Sequence, residues 1–399
     1  MKELMISLLI LFTISCKAQH EELKRPNILF AISDDQSYAH TSFAGCNFIE
    51  TPAFDRIAQE GIYFTNCYSG SPGCAPSRSS IVTGRYPWQN EQSGQHASSW
   101  MKKYVPFIDE LDDNGYAVGR TGKGVEPFQY ASTKENSLWR EGNAAGNTHS
   151  KLMYQEDNDE RTAKGIAKYN YAADFKYFME NKRDNKPFFF WYGSKEPHRG
   201  YEKGSWKRTN KQLSDVKVPA FLPDNEVIRG DLLDYAIEIE WFDMHLQRML
   251  KYLESIGELE NTIVIVTSDN GMPFPRAKAN CYEFGSHVPF AVRYPKQFQG
   301  GRKINSPASF IDIAPTILEL TKTTPTQMMP IQGKSMVPLL ENNKERQNEI
   351  RQYACSGRER HTSARYGNWG YPQRVIRKGD YLFIWNMKPD RWPAGSPQI

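Results

Sequence analysis

The sequence contains few cysteines, no block of basic residues and no apolar run long enough to cross a membrane. Six cysteines in 399 residues exclude a dense disulfide framework and leave room for one or two bridges at most. Lysine and arginine are spread along the chain and the formal net charge is only +4, so the composition does not indicate a nucleic-acid partner. Local basic patches would still suit an anionic substrate.

The remaining composition is that of a globular protein. Hydrophobic residues make up 39% of the chain and charged residues 24%, with 24 prolines. A chain of this length can bury a large core, as one α/β domain with a smaller domain beside it. We expect the large domain over residues 25–342 and the small one over residues 343–399, where the character of the sequence changes.

The N-terminus has a charged start followed by an apolar run over residues 4–14. This run is too short for a membrane-spanning helix, so we predict that residues 1–18 are a signal peptide and that the protein is exported to a bacterial periplasm or cell surface. Two forms of cleavage fit this segment. The residues before Cys16 resemble a bacterial lipobox, which would place a lipid anchor on Cys16, whereas ordinary cleavage would fall before Gln19.

Apolar runs and helical periodicity predict an alternation of strands and helices. The predicted strands are residues 28–32, 62–68, 117–121, 187–192, 262–267 and 290–294. The predicted helices include residues 104–114, 164–179, 232–253 and 311–320. A further helix is expected to start at Pro52 with Thr51 as its N-cap.

Acidic and amide side chains follow two of these predicted strands. Asp34 and Asp35 come directly after the first strand, and Asp269 and Asn270 follow the strand over residues 262–267. Open α/β sheets bind their ligands at such strand ends. An all-oxygen set without histidine or thiol suits a hard cation, and calcium is favoured over zinc. The alternatives for the separate motifs are a helix cap and a tight turn.

Cys74 begins the segment Cys-Ala-Pro-Ser-Arg, which ends at Arg78 and opens a predicted helix. The free N–H groups of a helix start favour a developing anion. The segment resembles the signature of type I sulfatases, in which a maturation enzyme converts the cysteine to formylglycine. The hydrated aldehyde is a geminal diol that attacks a sulfate ester and then expels the sulfate through its second hydroxyl. The resemblance implies one calcium ion per chain, with residue 74 as a ligand.

The resemblance also implies a fold and further site residues. The fold is an α/β alkaline-phosphatase-like mixed sheet sandwiched by helices, with a small C-terminal α+β subdomain that we expect to be incomplete. Arg78 would orient the diol, and Lys123 and Lys278 would bind the sulfate. His198, in the family's Pro-His position, would contact the sulfate or protonate the leaving group. The family's histidine two residues after Lys123 is replaced by Val125.

Three more residues are predicted to contact the substrate, namely His96, Arg358 and His361. His96 lies in a polar segment after the signature, and its alternative is a solvated surface histidine. The other two lie in a stretch that resembles the small C-terminal sheet domain of sulfatases, which supplies residues at the rim of the pocket.

Within the family, the residues after Asn270 and those around His198 resemble the heparan N-sulfatase (sulfoglucosamine sulfohydrolase) branch. Bacterial members near that branch also act on O-sulfated algal polysaccharides such as ulvan, so the expected substrate is a sulfated glycan carrying O- or N-sulfate. Two other classes are weighed against this function. A phosphatase or phosphodiesterase of the same superfamily would need a two-zinc site with several histidines, and a non-catalytic glycan-binding relative would fit Val125 and the short C-terminus.

Overall fold

The structure is a computed structural model that describes residues 24–131, 138–362 and 365–391. The predicted signal peptide over residues 1–18, including Cys16, lies outside the described residues. Within the described ranges, no helix combines the length and the apolar character needed to span a bilayer. The five described cysteines are free thiols.

The described ranges contain strands and helices in alternation. The strands are Asn27–Ser33 (β1), Ile62–Phe64 (β2), Cys67–Tyr68 (β3), Ser98–Ser99 (β4), Ala117–Gly122 (β5), Phe128–Gln129 (β6), Phe188–Gly193 (β7), Thr262–Ser268 (β8), His287–Val288 (β9), Phe290–Arg293 (β10), Arg302–Ile304 (β11), Ala308–Ser309 (β12), Ala354–Arg358 (β13), Gln373–Lys378 (β14) and Tyr381–Asn386 (β15). The α-helices are Pro52–Glu60 (α1), Cys74–Thr83 (α2), Phe107–Asp113 (α3), Tyr171–Asn181 (α4), Glu226–Ser255 (α5), Glu283–Ser286 (α6), Ile313–Thr321 (α7) and Val337–Leu340 (α8).

Seven strands form the large central sheet in the order β11-β2-β10-β8-β1-β7-β5. Strands β8, β1, β7 and β5 run parallel, whereas β10 is antiparallel to both β8 and β2. The sheet is therefore mixed, with a parallel centre. This confirms the predicted fold class.

Helices cover both faces of the sheet because its central strands are apolar on both sides. In β1, Ile28, Phe30 and Ile32 belong to one buried cluster, to which α2, α3, α7 and α8 contribute. Leu29 and Ala31 point to the other face, into a cluster that includes residues of α1, α4 and α5. A strand buried on both faces reads as a continuous apolar run, which is why the sequence pattern identified β1.

Some elements differ from the sequence predictions. The strand expected over residues 62–68 is interrupted at Thr65 and Asn66, and its halves β2 and β3 join different sheets. The helix expected from residue 164 begins only at Tyr171, where the Asn170 side chain accepts a hydrogen bond from the backbone N–H of Ala173. An Asn cap at this point overrides the apolar periodicity upstream of it.

The start of α1 also differs in detail. Thr51 occupies the N-cap position, but its side chain makes no capping hydrogen bond. Its hydroxyl instead donates to Asp55 Oδ1 at 3.0 Å and accepts from the backbone N–H of Ser42 at 2.9 Å. The hydroxyl therefore ties the preceding loop to the helix.

The C-terminal part of the chain forms a separate small sheet. Strands β13, β14 and β15 are antiparallel neighbours in that order. The turn at Gly379, where φ is +53°, joins β14 to β15. The sheet adjoins the main domain through β13, because the backbone N–H of Gly357 donates to the carbonyl oxygen of Gly70 at 3.0 Å.

Candidate active site

The parallel strands of the central sheet end at one edge and so bring distant parts of the chain together. Ser33 at the end of β1 lies level with Ser268 at the end of β8. Gly193 at the end of β7 lies level with Gly122 at the end of β5. The segments that follow these four strands carry the predicted site residues Asp34, Asp35, Lys123, His198, Asp269 and Asn270.

The oxygen-rich cluster predicted to bind a metal is formed by the ends of β1 and β8. The backbone N–H of Asp35 donates to Asp269 Oδ1 at 3.0 Å, and the Asn270 amide donates to Asp35 Oδ1 at 2.7 Å. One ligand atom each from Asp34, Cys74 and Asp269 lies within 4.8 Å of the other two. The Asp34 Oδ1 and Asn270 Oδ1 atoms are buried and have no hydrogen-bond partner among the described residues. Buried oxygens without a donor fit a hard cation, so these residues fit the predicted calcium ion.

Two buried lysines contact this cluster. The Nζ atom of Lys123 lies 2.6 Å from Asp34 Oδ2, and the Nζ atom of Lys278 lies 2.6 Å from Asp35 Oδ2. Burial alone would lower the pKa of both ammonium groups, but the Asp34 carboxylate raises that of Lys123 and the Asp35 carboxylate that of Lys278 above the ordinary value. Both side chains are therefore held as cations beside the cluster, as the binding of an anionic sulfate requires.

Cys74 is the first residue of α2, and its thiol is buried at the same edge of the sheet. Arg78, one turn later, is fully buried and donates from Nε to Asp269 Oδ2 at 2.7 Å. Its Nη1 atom donates to the carbonyl oxygens of Lys123 and Gly124, each at 3.0 Å. Arg78 therefore connects α2 to the ends of β8 and β5 and fixes the position of Cys74 relative to them.

The structure places His96 against Cys74. Its Nε2 atom lies 3.2 Å from the Cys74 Sγ atom, and its ring lies 4.5 Å from the ring of His361. Burial, together with the nearby charges of Lys278 and Lys123, lowers the pKa of His96 to about 4. The imidazole of His96 is therefore uncharged at neutral pH and lies in contact with residue 74.

His361 lies behind this pair. A methyl group added to Gly73 would come within 3.5 Å of its Nδ1 atom. Burial lowers the pKa of His361 to about 3, and neighbouring His96 acts in the same direction. The C-terminal sheet region thus contributes one ring to the surroundings of residue 74.

His198 stands at the mouth of the site in a turn after β7. Its Nε2 atom lies 3.9 Å from Asp35 Oδ2, its Nδ1 atom lies 3.1 Å from the carbonyl oxygen of Arg199, and the side chain is exposed. Together with Cys74 and His96 it lines an open cavity of about 400 Å³. That volume falls within the range of small-molecule sites in proteins.

The replacement of the family's histidine by Val125 leaves no polar group at that position. Val125 is fully buried in the apolar core, and its backbone N–H donates to Asn143 Oδ1 at 2.9 Å. His287 is also occupied elsewhere, because its ring nitrogens lie 2.9 Å from Glu283 Oε1 and from the carbonyl oxygen of Thr65. Of the histidines in the described ranges, His96 is the one whose ring meets the thiol of residue 74.

Arg358, predicted to contact the substrate, is buried at the end of β13. Its Nη1 atom donates to the carbonyl oxygen of Ala279, next to Lys278, and its guanidinium lies 5.9 Å from the ring centre of Tyr371. Burial lowers the pKa of Arg358. The structure therefore attaches this arginine to the loop that carries Lys278.

Sequence reasoning missed three acidic residues of the same cavity, Glu126, Glu196 and Glu238. Glu196 lies two residues before His198, and Glu238 lies on α5, for which the periodicity predicts a helix and no site residue. The available signal was a carboxyl group at position 238, one residue from the buried positions Ile237 and Ile239 of the helix. A charged residue between buried positions is rare unless it is paired or functional.

The sulfatase family model matches residues 26–323. An N-acetylglucosamine-6-O-sulfatase of Bacteroides thetaiotaomicron is 29% identical to this chain, over 85% of it and 75% of its own length. The N-sulphoglucosamine sulphohydrolase of Homo sapiens is 27% identical over 79% of this chain and 66% of its own length. An ulvan-active sulfatase of Formosa agariphila is 24% identical over 82% of this chain and 59% of its own length.

Solved structures agree with the fold. A protein determined in complex with its substrate, D-glucosamine-2-N,6-O-disulfate, superposes with a TM-score of 0.65 at 22% identity and covers 92% of both chains. A phosphonate monoester hydrolase of Agrobacterium radiobacter superposes with a TM-score of 0.71 at 17% identity, over 91% of this chain and 87% of its own. This fold serves both sulfur and phosphorus esters, so the residues of the site, and not the fold, determine the reaction.

Proposed function

The chain belongs to the sulfatase family, a family of sulfuric ester hydrolases, and from this membership we propose that it removes sulfate groups from a sulfated polysaccharide or its oligosaccharides. The observation that carries the proposal is the position of Cys74. The residue opens α2 against His96, with Arg78 and two lysines arranged around the same cluster of carboxylates.

We propose that Cys74 is converted to formylglycine by a sulfatase-maturation enzyme. The support is the unbroken segment from Cys74 to Arg78 together with the burial of residue 74 beside an acceptor, His96. The hydrated aldehyde would supply an oxygen nucleophile and a second hydroxyl that frees the enzyme again. In this arrangement His96 removes a proton from residue 74, the role for which Val125 offers no group.

We propose calcium as the metal, held by Asp34, Asp35, Asp269, Asn270 and residue 74. The support is the all-oxygen donor set and its two buried oxygens without a hydrogen-bond partner among the described residues. The ion would supply positive charge next to the sulfate oxygens. The adjoining Lys123 and Lys278 add charge of the same sign from protein side chains.

The remaining roles follow from position. Arg78 is enclosed, so it acts on the geometry of residue 74 and Asp269. Lys123 and Lys278 neutralise the charge that builds on the sulfate oxygens. His198 is exposed at the mouth of the cavity, so we assign it to the leaving-group side, where it contacts the sulfate or protonates the departing sugar oxygen.

The proposed substrate class rests on the relatives, which include sulfatases named for N-acetylglucosamine 6-O-sulfate, N-sulfoglucosamine and ulvan. An O-sulfated glycan, either a glycosaminoglycan or an ulvan-like algal polysaccharide, is the principal candidate. Cleavage of an N-sulfate is the second candidate, favoured by the likeness to the N-sulphoglucosamine sulphohydrolase.

The substrate is tested with protein made together with a maturation enzyme and supplied with calcium. Release of inorganic sulfate is measured on N-acetylglucosamine 6-sulfate, N-sulfoglucosamine, ulvan oligosaccharides and an aryl sulfate. We expect release from at least one O-sulfated sugar. Release from N-sulfoglucosamine alone would establish the sulfamidase alternative, and release of phosphate from phosphate esters without any sulfate release would contradict the proposal.

Export is proposed on the sequence of residues 1–18, with Cys16 as the site of a lipid anchor in the lipoprotein form. Fractionation of the native host tests it. The protein is expected in the periplasm or on the membrane surface, with metabolic labelling by a fatty acid if Cys16 is lipidated. A protein that remains in the cytosol with residues 1–18 intact would contradict it.

A further inference from the structure

The cavity next to Cys74 contains a carboxyl group that the proposed chemistry does not use. Glu238, on α5, lines this cavity, yet only 2% of the residue is exposed. Its Oε1 atom is enclosed and has no hydrogen-bond partner among the described residues. A buried polar group without a partner is unfavourable, and at a functional site it indicates a partner that arrives with the ligand.

The adjacent Glu196 lines the same cavity, and both of its carboxyl oxygens accept hydrogen bonds within the protein. Its Oε1 atom accepts from the backbone N–H of Ala167 at 2.8 Å. Its Oε2 atom accepts from the hydroxyls of Tyr171 at 2.9 Å and Ser194 at 2.5 Å. Glu196 therefore acts as an acceptor within the protein, whereas Glu238 beside it is left for another group.

The surroundings hold Glu238 in its neutral form. Burial raises its pKa to about 9, and the carboxylates of Glu196 and Asp234 act in the same direction. Asp234 differs from it in being fully engaged, since its oxygens accept from the backbone N–H groups of Gly204 and Trp206 and from the Ser205 hydroxyl. A protonated carboxyl group is a hydrogen-bond donor, and it does not repel a sulfated substrate as a carboxylate would.

Gly165 packs directly against this acid. A methyl group added to Gly165 would come within 2.7 Å of both the Glu238 Oε1 atom and the carbonyl oxygen of Gly200. Gly165 and Gly200 line the same cavity. A side chain at position 165 would therefore collide with the carboxyl group, and the glycine lets the chain pass close to the acid.

We propose that Glu238 is a specificity-determining residue that donates a hydrogen bond to an uncharged oxygen of the sugar that carries the sulfate. The oxygen is a hydroxyl or the carbonyl of an N-acyl group. The inference rests on the proposed sulfatase function and adds a residue that distinguishes a sugar sulfate from a sulfate ester of another alcohol. A site built to bond a substrate hydroxyl rejects the analogue that lacks it.

The test uses the calcium-loaded enzyme with residue 74 converted, and compares kcat/KM for N-acetylglucosamine 6-sulfate, or for the best O-sulfated sugar of the panel, with that for 4-nitrophenyl sulfate. E238L, which cannot donate, is expected to lower the ratio of the two values by about tenfold, mainly through KM for the sugar. E238Q retains an N–H donor and is expected to restore the ratio to within about threefold of the wild type. E238D, which keeps the acid but withdraws it by one methylene, should lower the ratio in the same direction and serves if E238L does not fold.

The matched control is E240Q on the same helix. Glu240 forms an ion pair with Lys211 and lies outside the set of residues that line this cavity. Its substitution is expected to leave the ratio at the wild-type value. An unchanged ratio in both E238L and E238D, or a ratio in E238Q as low as in E238L, would overturn the inference while leaving the sulfatase function in place. A wild-type enzyme that releases sulfate from neither substrate would instead overturn the proposed function, and the inference with it.

Discussion

We assign to His96 the proton transfer at residue 74 that the family motif would give to a histidine at position 125. The family motif predicts a histidine at 125, and this chain has a valine buried in the core there. The ring that reaches residue 74 comes instead from a loop after α2, at 3.2 Å from the Cys74 Sγ atom. Sequence spacing could not find this contact, because the loop has no periodic pattern to fix its course.

The variant His96→Ala is expected to lower kcat on a sugar sulfate by about 100-fold or more, which is the contribution of a general acid or base. The reason is that residue 74 loses the acceptor for its proton. His149→Ala is the matched control, because the His149 Nε2 atom lies 2.9 Å from the carbonyl oxygen of Val118, away from the cavity. A His96→Ala enzyme as fast as the control would show that another group handles the proton.

The raised pKa of Glu238 should also affect the free energy of unfolding of the protein. A glutamate whose pKa in the folded state is about 9, against 4.5 when free, contributes stability that is fully present below pH 4.5 and is lost as the pH rises through 9. Glutamine does not titrate, so E238Q is expected to be more stable than the wild type by ~3 kcal/mol at pH 7.

The measurement is denaturant unfolding of both proteins at several values between pH 5 and pH 9. The gain from E238Q is expected to grow across this window. A gain that is the same at every pH would mean that Glu238 is not held in its neutral form by the fold.

At the scale of elements, the sequence predicted the central strands correctly but placed some element boundaries wrongly. Buried β-branched and aromatic runs identified β1, β7, β8 and β10, and the polar residues at the ends of β1 and β8 meet as expected. The predicted helix start at residue 164 was wrong, because the cap at Asn170 overrode the periodic pattern. The predicted single strand over residues 62–68 was also wrong, because its halves β2 and β3 join different sheets.

The close approach of β5 and β7 depends on a glycine. A methyl group added to Gly193 would lie 1.7 Å from the carbonyl oxygen of Lys123. The backbone would have to move to relieve this contact. Gly193→Ala is expected to reduce the free energy of unfolding by roughly 1–3 kcal/mol, because overpacking forces the backbone to shift. The shift moves Lys123, so sulfate release should fall as well.

The control for this variant is Gly257→Ala. Gly257 has φ +69° and open space around an added methyl group, so the substitution carries left-handed strain of about 1 kcal/mol without a collision. Unfolding free energies and sulfate release are compared for the two variants. Sulfate release by Gly193→Ala equal to that of Gly257→Ala would show that the strand spacing does not set the position of Lys123.

At the scale of the whole molecule, the cluster that we propose binds calcium joins the ends of two strands through Asp35 and Asp269, which are 234 residues apart in the chain. Removing calcium is therefore expected to lower both sulfate release and Tm, because a ligand that binds only the folded state stabilises it by mass action. Treatment with a chelator followed by calcium should restore both.

The Asp269→Asn variant is expected to lose this dependence of sulfate release and Tm on calcium. The Asp224→Asn variant, which alters an exposed ion pair with Arg229, is expected to keep it. Metal analysis of the purified protein completes the experiment. Stoichiometric zinc, with calcium inert, would contradict the calcium assignment and favour a phosphatase-like site.

The central claim is tested most directly by the inorganic sulfate released per mole of converted residue 74. The protein is made with and without a maturation enzyme. Mass spectrometry of the tryptic peptide that ends at Arg78 then gives the fraction of residue 74 that is aldehyde and the fraction that is thiol. We predict that sulfate release from a sugar sulfate rises in proportion to the aldehyde fraction and is absent in Cys74→Ala. Equal release from the converted protein, the unconverted protein and Cys74→Ala would contradict the account.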